Sequence, residues 1–203
     1  MEKAFFNAVE LVVPNSVYCP REDSFLLAEC VQKEKLAGKS FLDLGCGTGI
    51  QGIAALEKGA KVLFADKNKE AAKAAQENAK NAGYIDFTTR QSDLFEKIGE
   101  KFDFIAFNPP YVQQGEDEKP DERLTGGKSG RKLIELFLKE TKGHLGKEGK
   151  ILLLCSSQDN FGKVEALMKK RGLEFRIAAK KNIFFEELRV YSASLDLKEK
   201  SKD

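Results

Sequence analysis

A glycine-rich turn between an apolar strand and a helix constrains the fold of this chain more than any other feature. Residues 43–49, with the sequence DLGCGTG, lie at the end of the strand predicted over residues 40–45 and open the helical pattern of residues 49–59. Glycines are needed where the backbone turns tightly and approaches a ligand closely. The turn therefore predicts a parallel sheet with a ligand site at the carboxyl end of one strand.

Strand and helix patterns alternate along most of the chain. The predicted strands are residues 40–45, 61–66, 85–91, 102–108, 150–157, 174–185 and 187–195. A helical pattern lies between most consecutive strands among the first six. The last two strands follow each other directly and can pair as a hairpin. We therefore predict an α/β fold, with a Rossmann-like, seven-stranded, mostly parallel sheet, helices on both faces and a C-terminal antiparallel hairpin.

The two ends of the chain give less information. Residues 1–20 read as an extended lead-in, and Asp23 or Ser24 could cap the helix that follows. A single domain over residues 1–197 with a charged tail at 198–203 is expected. No apolar run approaches the roughly 20 residues that span a bilayer, and the start lacks the pattern of a signal peptide. We therefore expect a cytoplasmic protein without a membrane partner.

Charge and cysteine usage exclude some classes of site. The 34 Lys and Arg residues nearly balance the 32 Asp and Glu residues, so the net charge is +2, and we do not expect a nucleic-acid partner. The four cysteines, at positions 19, 30, 46 and 155, form no C-x-x-C pair, and His144 is the single histidine. These spacings fit no zinc pattern, so no metal site is expected.

Two carboxylates support a nucleotide-like cofactor beside the glycine turn. Asp66 ends the second predicted strand, where an acid can accept hydrogen bonds from both hydroxyls of a ribose. Asp93 follows the third strand and could accept a hydrogen bond from an adenine amine. The G-x-G-x-G spacing with a preceding acid is similar to the signature of S-adenosylmethionine-dependent methyltransferases. A dehydrogenase, or a turn without a ligand, stays the alternative.

A second motif, Asn108-Pro109-Pro110-Tyr111, follows the fourth strand and predicts the acceptor site. An amide or aryl amine is a poor nucleophile, because its nitrogen lone pair is delocalised. The Asn108 side-chain oxygen and the Pro109 carbonyl can accept hydrogen bonds from such an NH₂ group, and Tyr111 can stack on its plane. Two prolines stiffen the loop. This chemistry favours methylation of a planar nitrogen by proximity and orientation.

The chain resembles the HemK-like glutamine methyltransferases, and in particular the short archaeal and eukaryotic branch. Four segments carry the resemblance: VYCPREDSFLL (17–27), DLGCGTG (43–49), FNPPYV (107–112) and LTGGKSGRKLIELFL (124–138). The resemblance implies a class I methyltransferase fold, S-adenosylmethionine as cofactor and catalysis by Asn108 with Pro109 and Tyr111. The cofactor contacts that it implies are Ser24, Asp43, Gly45, Gly47, Asp66, Asp93, Leu94 and Asn108.

The resemblance also implies a substrate and a partner. The substrate would be the glutamine of the Gly-Gly-Gln motif in a class I peptide release factor. The partner would be a small zinc-binding activator at the edge of the third strand, near residues 85–91. The competing functions are methylation of an exocyclic amine of adenine or guanine, methylation of another protein nitrogen, and a non-catalytic stabilising subunit. The acidic loop 113–123 could be a solvated surface or a substrate lid.

Overall fold

Strands and helices alternate along the chain as the sequence predicts. The computed structural model describes residues 2–110, 131–184 and 186–196. The strands are β1 (Glu2–Phe6), β2 (Val9–Val13), β3 (Ser40–Leu44), β4 (Lys61–Asp66), β5 (Phe87–Gln91), β6 (Phe102–Phe107), β7 (Leu145–Ser156), β8 (Leu173–Ile183) and β9 (Glu186–Leu195). The α-helices are α1 (Glu22–Gln32), α2 (Ile50–Glu57), α3 (Lys69–Asn81), α4 (Arg131–His144) and α5 (Phe161–Lys170), and a 3₁₀ turn covers Ser157–Asp159.

Seven of the strands form one sheet in the order β5-β4-β3-β6-β7-β9-β8. Strands β3 to β7 run parallel, whereas β9 is antiparallel to both β7 and β8. The predicted fold class is therefore confirmed, including the C-terminal hairpin. Strand β5 lies at one edge, as predicted for the third strand, and β8 lies at the other.

Side chains alternate between the two faces along each central strand, because successive residues of a strand point to opposite sides of the sheet. On β4, Phe64 belongs to the apolar cluster that includes side chains of α1, α2 and α3, whereas Leu63 belongs to the cluster that includes side chains of α4 and α5. Both faces are covered, so the central strands are apolar at nearly every position, as is typical of buried parallel strands. This burial fixes the register that brings the strand ends together.

The N-terminal region differs from the sequence-based expectation. Residues expected to be an extended lead-in form a separate β1–β2 hairpin, with Asn7 at positive φ in its turn. Asn78 on α3 holds the hairpin by accepting from Val12 N–H at 2.9 Å and donating to the Val12 carbonyl at 3.1 Å. Its amide also donates to the carbonyl of Thr48, at 3.0 Å.

The start of α1 also differs from the expectation. The helix begins at Glu22 with Arg21 at the N-cap, and no side chain caps it. The predicted caps Asp23 and Ser24 lie inside the first turn and are buried. Their side chains point into the interior of the protein, where other groups engage them.

None of the helices in the described ranges is long and apolar enough to cross a membrane.

Candidate active site

The predicted site residues that the structure describes lie around the carboxyl edge of the sheet. Strands β4, β3 and β6 are neighbours, and their last residues are Asp66, Leu44 and Phe107. The strand order reverses between β3 and β6, because β4 and β5 continue on one side and β7 on the other. Ligands of open parallel sheets bind at such a switch point, outside the carboxyl ends of the strands.

The glycine turn between β3 and α2 is built from left-handed backbone conformations. Gly45, Gly47 and Gly49 have φ angles of +63°, +52° and +84°. A side chain on Gly45 would lie 3.3 Å from the Phe107 ring, whereas one on Gly47 would meet only Val17 Cγ1, at 3.9 Å. The surface above Gly47 is therefore open, and the backbone there can approach a ligand closely.

Gly49 serves packing rather than ligand approach. A Cβ atom on it would lie 2.8 Å from Ala75 Cβ and 3.0 Å from Ala75 Cα, so α3 packs directly against the turn. We expect Gly49→Ala to lower the free energy of unfolding by about 2–4 kcal/mol, from the strained φ and the overpacking together. Urea unfolding of the purified chain measures this loss.

A matched control separates the two causes. Gly83 has a φ of +83°, and nothing lies within 4 Å of a Cβ atom placed there. Gly83→Ala therefore carries the cost of the backbone conformation alone, about 1–2 kcal/mol. Equal losses in the two variants would show that the contact with α3 has no effect.

Asp66 is fixed by the backbone on both sides. Its Oδ2 accepts from Gly47 N–H at 3.0 Å, and its Oδ1 accepts from Asn68 N–H at 2.8 Å. Partial burial raises the pKa of this carboxyl, and the two backbone hydrogen bonds oppose the rise. A carboxylate offers about four lone-pair sites, so these two bonds leave acceptor capacity on a partly exposed acid.

Asp43 lies beneath the turn rather than at its surface. The side chain is 1% exposed, and its Oδ2 accepts from Gly52 N–H at 2.8 Å. Burial raises the pKa of this carboxyl well above its usual range. The observed contact anchors the first turn of α2 to β3.

The turn after β5 contains Asp93 and Leu94. Asp93 is exposed, and Leu94 adopts a φ of +43°, which is uncommon for a residue other than glycine. The buried Ser92 holds this turn, because its Oγ donates to the Leu94 carbonyl at 2.9 Å and accepts from Lys97 N–H at 3.0 Å. Ser92 was not among the predicted site residues. The only sign of its role in the sequence is its position between the third predicted strand and the predicted contacts Asp93 and Leu94.

Asn108 directly follows β6, and only one of the two polar atoms of its side chain has a hydrogen-bond partner among the described residues. Its Nδ2 donates to Asp23 Oδ2 at 2.9 Å and contacts Ser24 Oγ at 3.4 Å. Its Oδ1 is buried and has no hydrogen-bond partner among the described residues. Pro109, the next residue, is buried. A buried acceptor atom without a donor is costly unless a ligand supplies the donor.

Asp23 is the centre of a small polar cluster that sequence analysis did not identify. Besides the Asn108 amide, it accepts from the Tyr18 hydroxyl at 3.2 Å and from Ser24 Oγ at 3.4 Å. Burial, and then the neighbouring charge of Asp23, raises the pKa of the Tyr18 phenol, which therefore stays a donor. Gln51 holds the backbone of this turn by donating to the Ser24 carbonyl at 3.0 Å.

Several predicted features lie outside the described residues. They are Tyr111, the acidic loop 113–123, the first half of segment 124–138, and the tail 198–203. The predicted role of Tyr111 stays a prediction.

The residues that are described fit S-adenosylmethionine. No atom lies closer than 3.9 Å to a Cβ position on Gly47, so a ligand can approach the backbone there, and Asp66 presents a fixed, partly exposed carboxylate beside it. Asp93 adds an exposed acid after the neighbouring strand. Asn108 follows β6, the strand next to β3 on the side away from Asp66, and its side chain contacts Ser24. A cofactor that binds at this edge of the sheet would therefore have the unpartnered amide oxygen on the β6 side of its site.

Comparison with known proteins gives a consistent set of relatives. The family described as "Methyltransferase small domain" matches residues 16–185. A Methanocaldococcus jannaschii protein, provisionally named a protein N5-glutamine methyltransferase, is 39% identical over 190 residues, which cover 91% of this chain and 95% of the relative. A release factor glutamine methyltransferase of Streptococcus pneumoniae is 32% identical over 164 residues, which cover 74% of this chain and 58% of that protein.

A solved structure shares the architecture over nearly its whole length. It is the Mtq2–Trm112 complex of E. cuniculi, which is described as responsible for methylation of the translation termination factor eRF1. The match has a TM-score of 0.71 and 27% identity, and it covers 89% of this chain and 99% of the matched one.

Proposed function

We propose a specific acceptor for this chain, which belongs to the methyltransferase small domain family. Within that family it is one of the S-adenosylmethionine-dependent protein-glutamine N-methyltransferases. The acceptor is the side-chain amide of the glutamine in the Gly-Gly-Gln motif of a class I peptide release factor. The names of the Streptococcus relative and of the E. cuniculi complex support this choice, because both are assigned to release or termination factors.

The observation that carries the proposal is the unpartnered Oδ1 of Asn108. It is a buried acceptor at the carboxyl end of β6, beside the glycine turn, and its own amide nitrogen is already engaged by Asp23. A primary amide is a fitting partner, because its NH₂ group brings two donors and no net charge. One N–H would meet Asn108 Oδ1, and the carbonyl of Pro109 is proposed to accept the other.

The reaction joins the amide nitrogen to a methyl carbon. S-adenosylmethionine supplies that methyl on a sulfonium, whose sulfur keeps the electron pair of the broken carbon–sulfur bond. Asn108 and Pro109 hold the nitrogen with its lone pair toward the methyl, and their oxygens stabilise the positive charge that develops on nitrogen. The nitrogen then releases one proton to solvent, so no base is needed before the transfer. Tyr111 is the proposed stacking residue.

The residues proposed to hold the cofactor follow from their positions around the turn. Asp66 would bind the ribose hydroxyls, and Asp93 with Leu94 would contact the adenine side. Gly45 and Gly47 would allow close approach of the backbone. Ser24 and Asn108 would border the methionine side, and Asp43 would act from beneath the turn by fixing α2.

The proposed acceptor is tested by methyl transfer from labelled cofactor. The chain is incubated with a purified class I release factor from the same genome, and with the same factor carrying Gln→Ala in its Gly-Gly-Gln motif. We expect label in the first protein and none in the second. Label in both factors, or label only in added DNA or RNA, would overturn the glutamine assignment.

A small partner protein is proposed at the free edge of β5. Among the described residues β5 pairs with β4 alone, so its other edge offers backbone groups that another strand can extend. Ile85, just before the strand, is 90% exposed, and with Asp86 and Phe87 it borders a largely open surface groove of about 370 Å³. This groove lies at the amino end of β5, away from the carboxyl edge, so a partner there would leave the acceptor site free.

The partner is proposed to be a small zinc-binding activator in the cytoplasm. The presence of a second protein in the E. cuniculi complex supports a partner of this general kind. A competing interpretation is that charged residues protect the edge from pairing. Arg90 on β5 is already engaged with Glu100 at 2.8 Å, so that charge is partly neutralised within the chain.

We expect Ile85→Asp to abolish co-purification with the activator. The exposed side chain contributes little to the isolated chain, so its free energy of unfolding should change by less than about 0.5 kcal/mol. The measurement is size-exclusion chromatography after co-expression with candidate zinc proteins from the same genome. Phe184→Asp is the matched control, because Phe184 is 95% exposed and lies in the β8–β9 turn. A wild-type chain that is monomeric and fully active alone would contradict an obligatory activator.

A further inference from the structure

We propose that Asp23 is a positioning residue, which fixes the orientation of the Asn108 amide so that Oδ1 faces the acceptor nitrogen. The inference rests on the proposed function for its catalytic consequence. Its structural part, the direction of the amide, stands on the described contacts alone. Asp23 touches neither the acceptor nor the cofactor in this scheme and acts only through Asn108.

The chemistry of the amide creates the need for such a residue. The oxygen and nitrogen of an Asn side chain are nearly equal in size, so the group can rotate by 180° with little change in packing. In one orientation Asn108 offers an acceptor to the substrate NH₂ group, and in the other it offers a second NH₂. The second orientation places donors against donors and cannot bind the acceptor amide.

A carboxylate selects the productive orientation. Asp23 Oδ2 can only accept, and it lies 2.9 Å from Asn108 Nδ2. Rotation of the amide would place Oδ1 against Oδ2, two acceptors at hydrogen-bond distance. Asp23 is 2% exposed, so water cannot easily relieve that repulsion.

Other groups hold the carboxylate itself. Tyr18 donates to Oδ1 at 3.2 Å, and Ser24 Oγ lies 3.4 Å from the same atom. Each carboxylate oxygen therefore has its own donors, and Oδ2 is directed at Asn108. The position of Asp23 in the first turn of α1 gives it a rigid backbone, so the amide is oriented by a fixed element rather than by a loop.

The first test is kinetic and uses the full chain with its partner where one is required. We expect Asp23→Ala to lower kcat for transfer to the release factor about ten- to a hundredfold, the range for loss of a hydrogen bond to a charged group. The dissociation constant of the cofactor should stay within about threefold. Asp23→Asn, which keeps one acceptor oxygen, should show a smaller loss. Glu22→Gln, an equal change of charge at an exposed site one residue away, should leave kcat unchanged.

A double-mutant cycle distinguishes positioning from a general structural role. If Asp23 acts only through Asn108, Asp23→Ala should lower residual transfer no further in a chain that already carries Asn108→Ala. A folded Asp23→Ala chain with wild-type kcat would overturn the proposal. Losses that multiply in the double variant would overturn it as well.

The second test measures the hydrogen bonding of the Asn108 amide by NMR, without any acceptor substrate. In ¹⁵N-edited NMR spectra of the chain, the Asn108 NH₂ pair is assigned by its absence in Asn108→Ala. We expect a downfield proton in the wild type and an upfield shift in Asp23→Ala, or in Asp23→Asn if the alanine variant does not fold. Unchanged chemical shifts of the two Asn108 NH₂ protons in the variant would overturn the positioning role. A wild type inactive on the release factor overturns the proposed function instead, and the NMR result still decides the orientation.

Discussion

Asn108→Ala should reduce methyl transfer to the release factor at least a hundredfold and weaken cofactor binding much less, because Asn108 only borders the proposed cofactor site. The substitution removes the buried acceptor oxygen that is proposed to hold the amide nitrogen. Loss of one preorganised hydrogen-bonding group at a reacting centre typically costs about 10²–10³ in kcat. Labelled-methyl transfer measures the rate, and isothermal titration calorimetry measures the cofactor affinity.

The same variant should remain folded. Truncation leaves Asp23 Oδ2 without its amide donor, which costs about 1–3 kcal/mol of stability at most. Circular dichroism checks the fold, and Asn182→Ala, at an exposed position near the β8–β9 turn, serves as the control substitution. Near-normal turnover in a folded Asn108→Ala chain would remove the proposed alignment mechanism.

Asp66→Ala should weaken cofactor binding at least tenfold. The predicted role of Asp66 is to accept two ribose hydroxyls, and each charge-assisted hydrogen bond is worth about 1.5–3 kcal/mol. The variant also releases Gly47 N–H and Asn68 N–H, so the turn loses part of its preorganisation. Calorimetry with Asp93→Ala as a comparison measures the effect, and we expect a smaller loss for that exposed acid. Unchanged affinity in Asp66→Ala would contradict the proposed cofactor site.

The pH dependence of binding gives a second measurement for Asp66. Burial raises the pKa of this carboxyl, so it takes up a proton at a higher pH than an ordinary aspartate. The protonated form is a poorer acceptor, so cofactor affinity should fall as the pH drops through that raised value. This acid-side loss should be absent in Asp66→Ala, whose affinity is low at every pH.

Local patterns were sufficient to predict the sheet and the segments that surround the site. The strand–turn–helix arrangement of residues 40–59 and the position of Asn108 after a strand are short-range features. In the structure β4 and β6 flank β3, so Asp66 and Asn108 follow the strands on the two sides of the glycine turn. Burial on both faces makes these strands apolar and therefore easy to recognise.

Long-range polar contacts could not be predicted in this way. Asp23 and Asn108 are 85 residues apart, and nothing in the local sequence relates them. A buried Asp at the start of a helix is also indistinguishable, in sequence, from an ordinary cap. The β1–β2 hairpin was missed because its strands are short and mix charged with apolar residues, so their pairing depends on tertiary support. The contribution of Tyr111 stays a prediction.

The side chain of Asn78 links the N-terminal hairpin to the glycine turn. One buried side chain bonds both backbone groups of Val12 and, through its second amide hydrogen, the carbonyl of Thr48. The hairpin and the glycine turn are therefore held by the same buried amide of α3. Loss or displacement of the Asn78 side chain would release both segments together, so the order of the loop beneath the proposed cofactor depends on a residue 30 positions further along the chain.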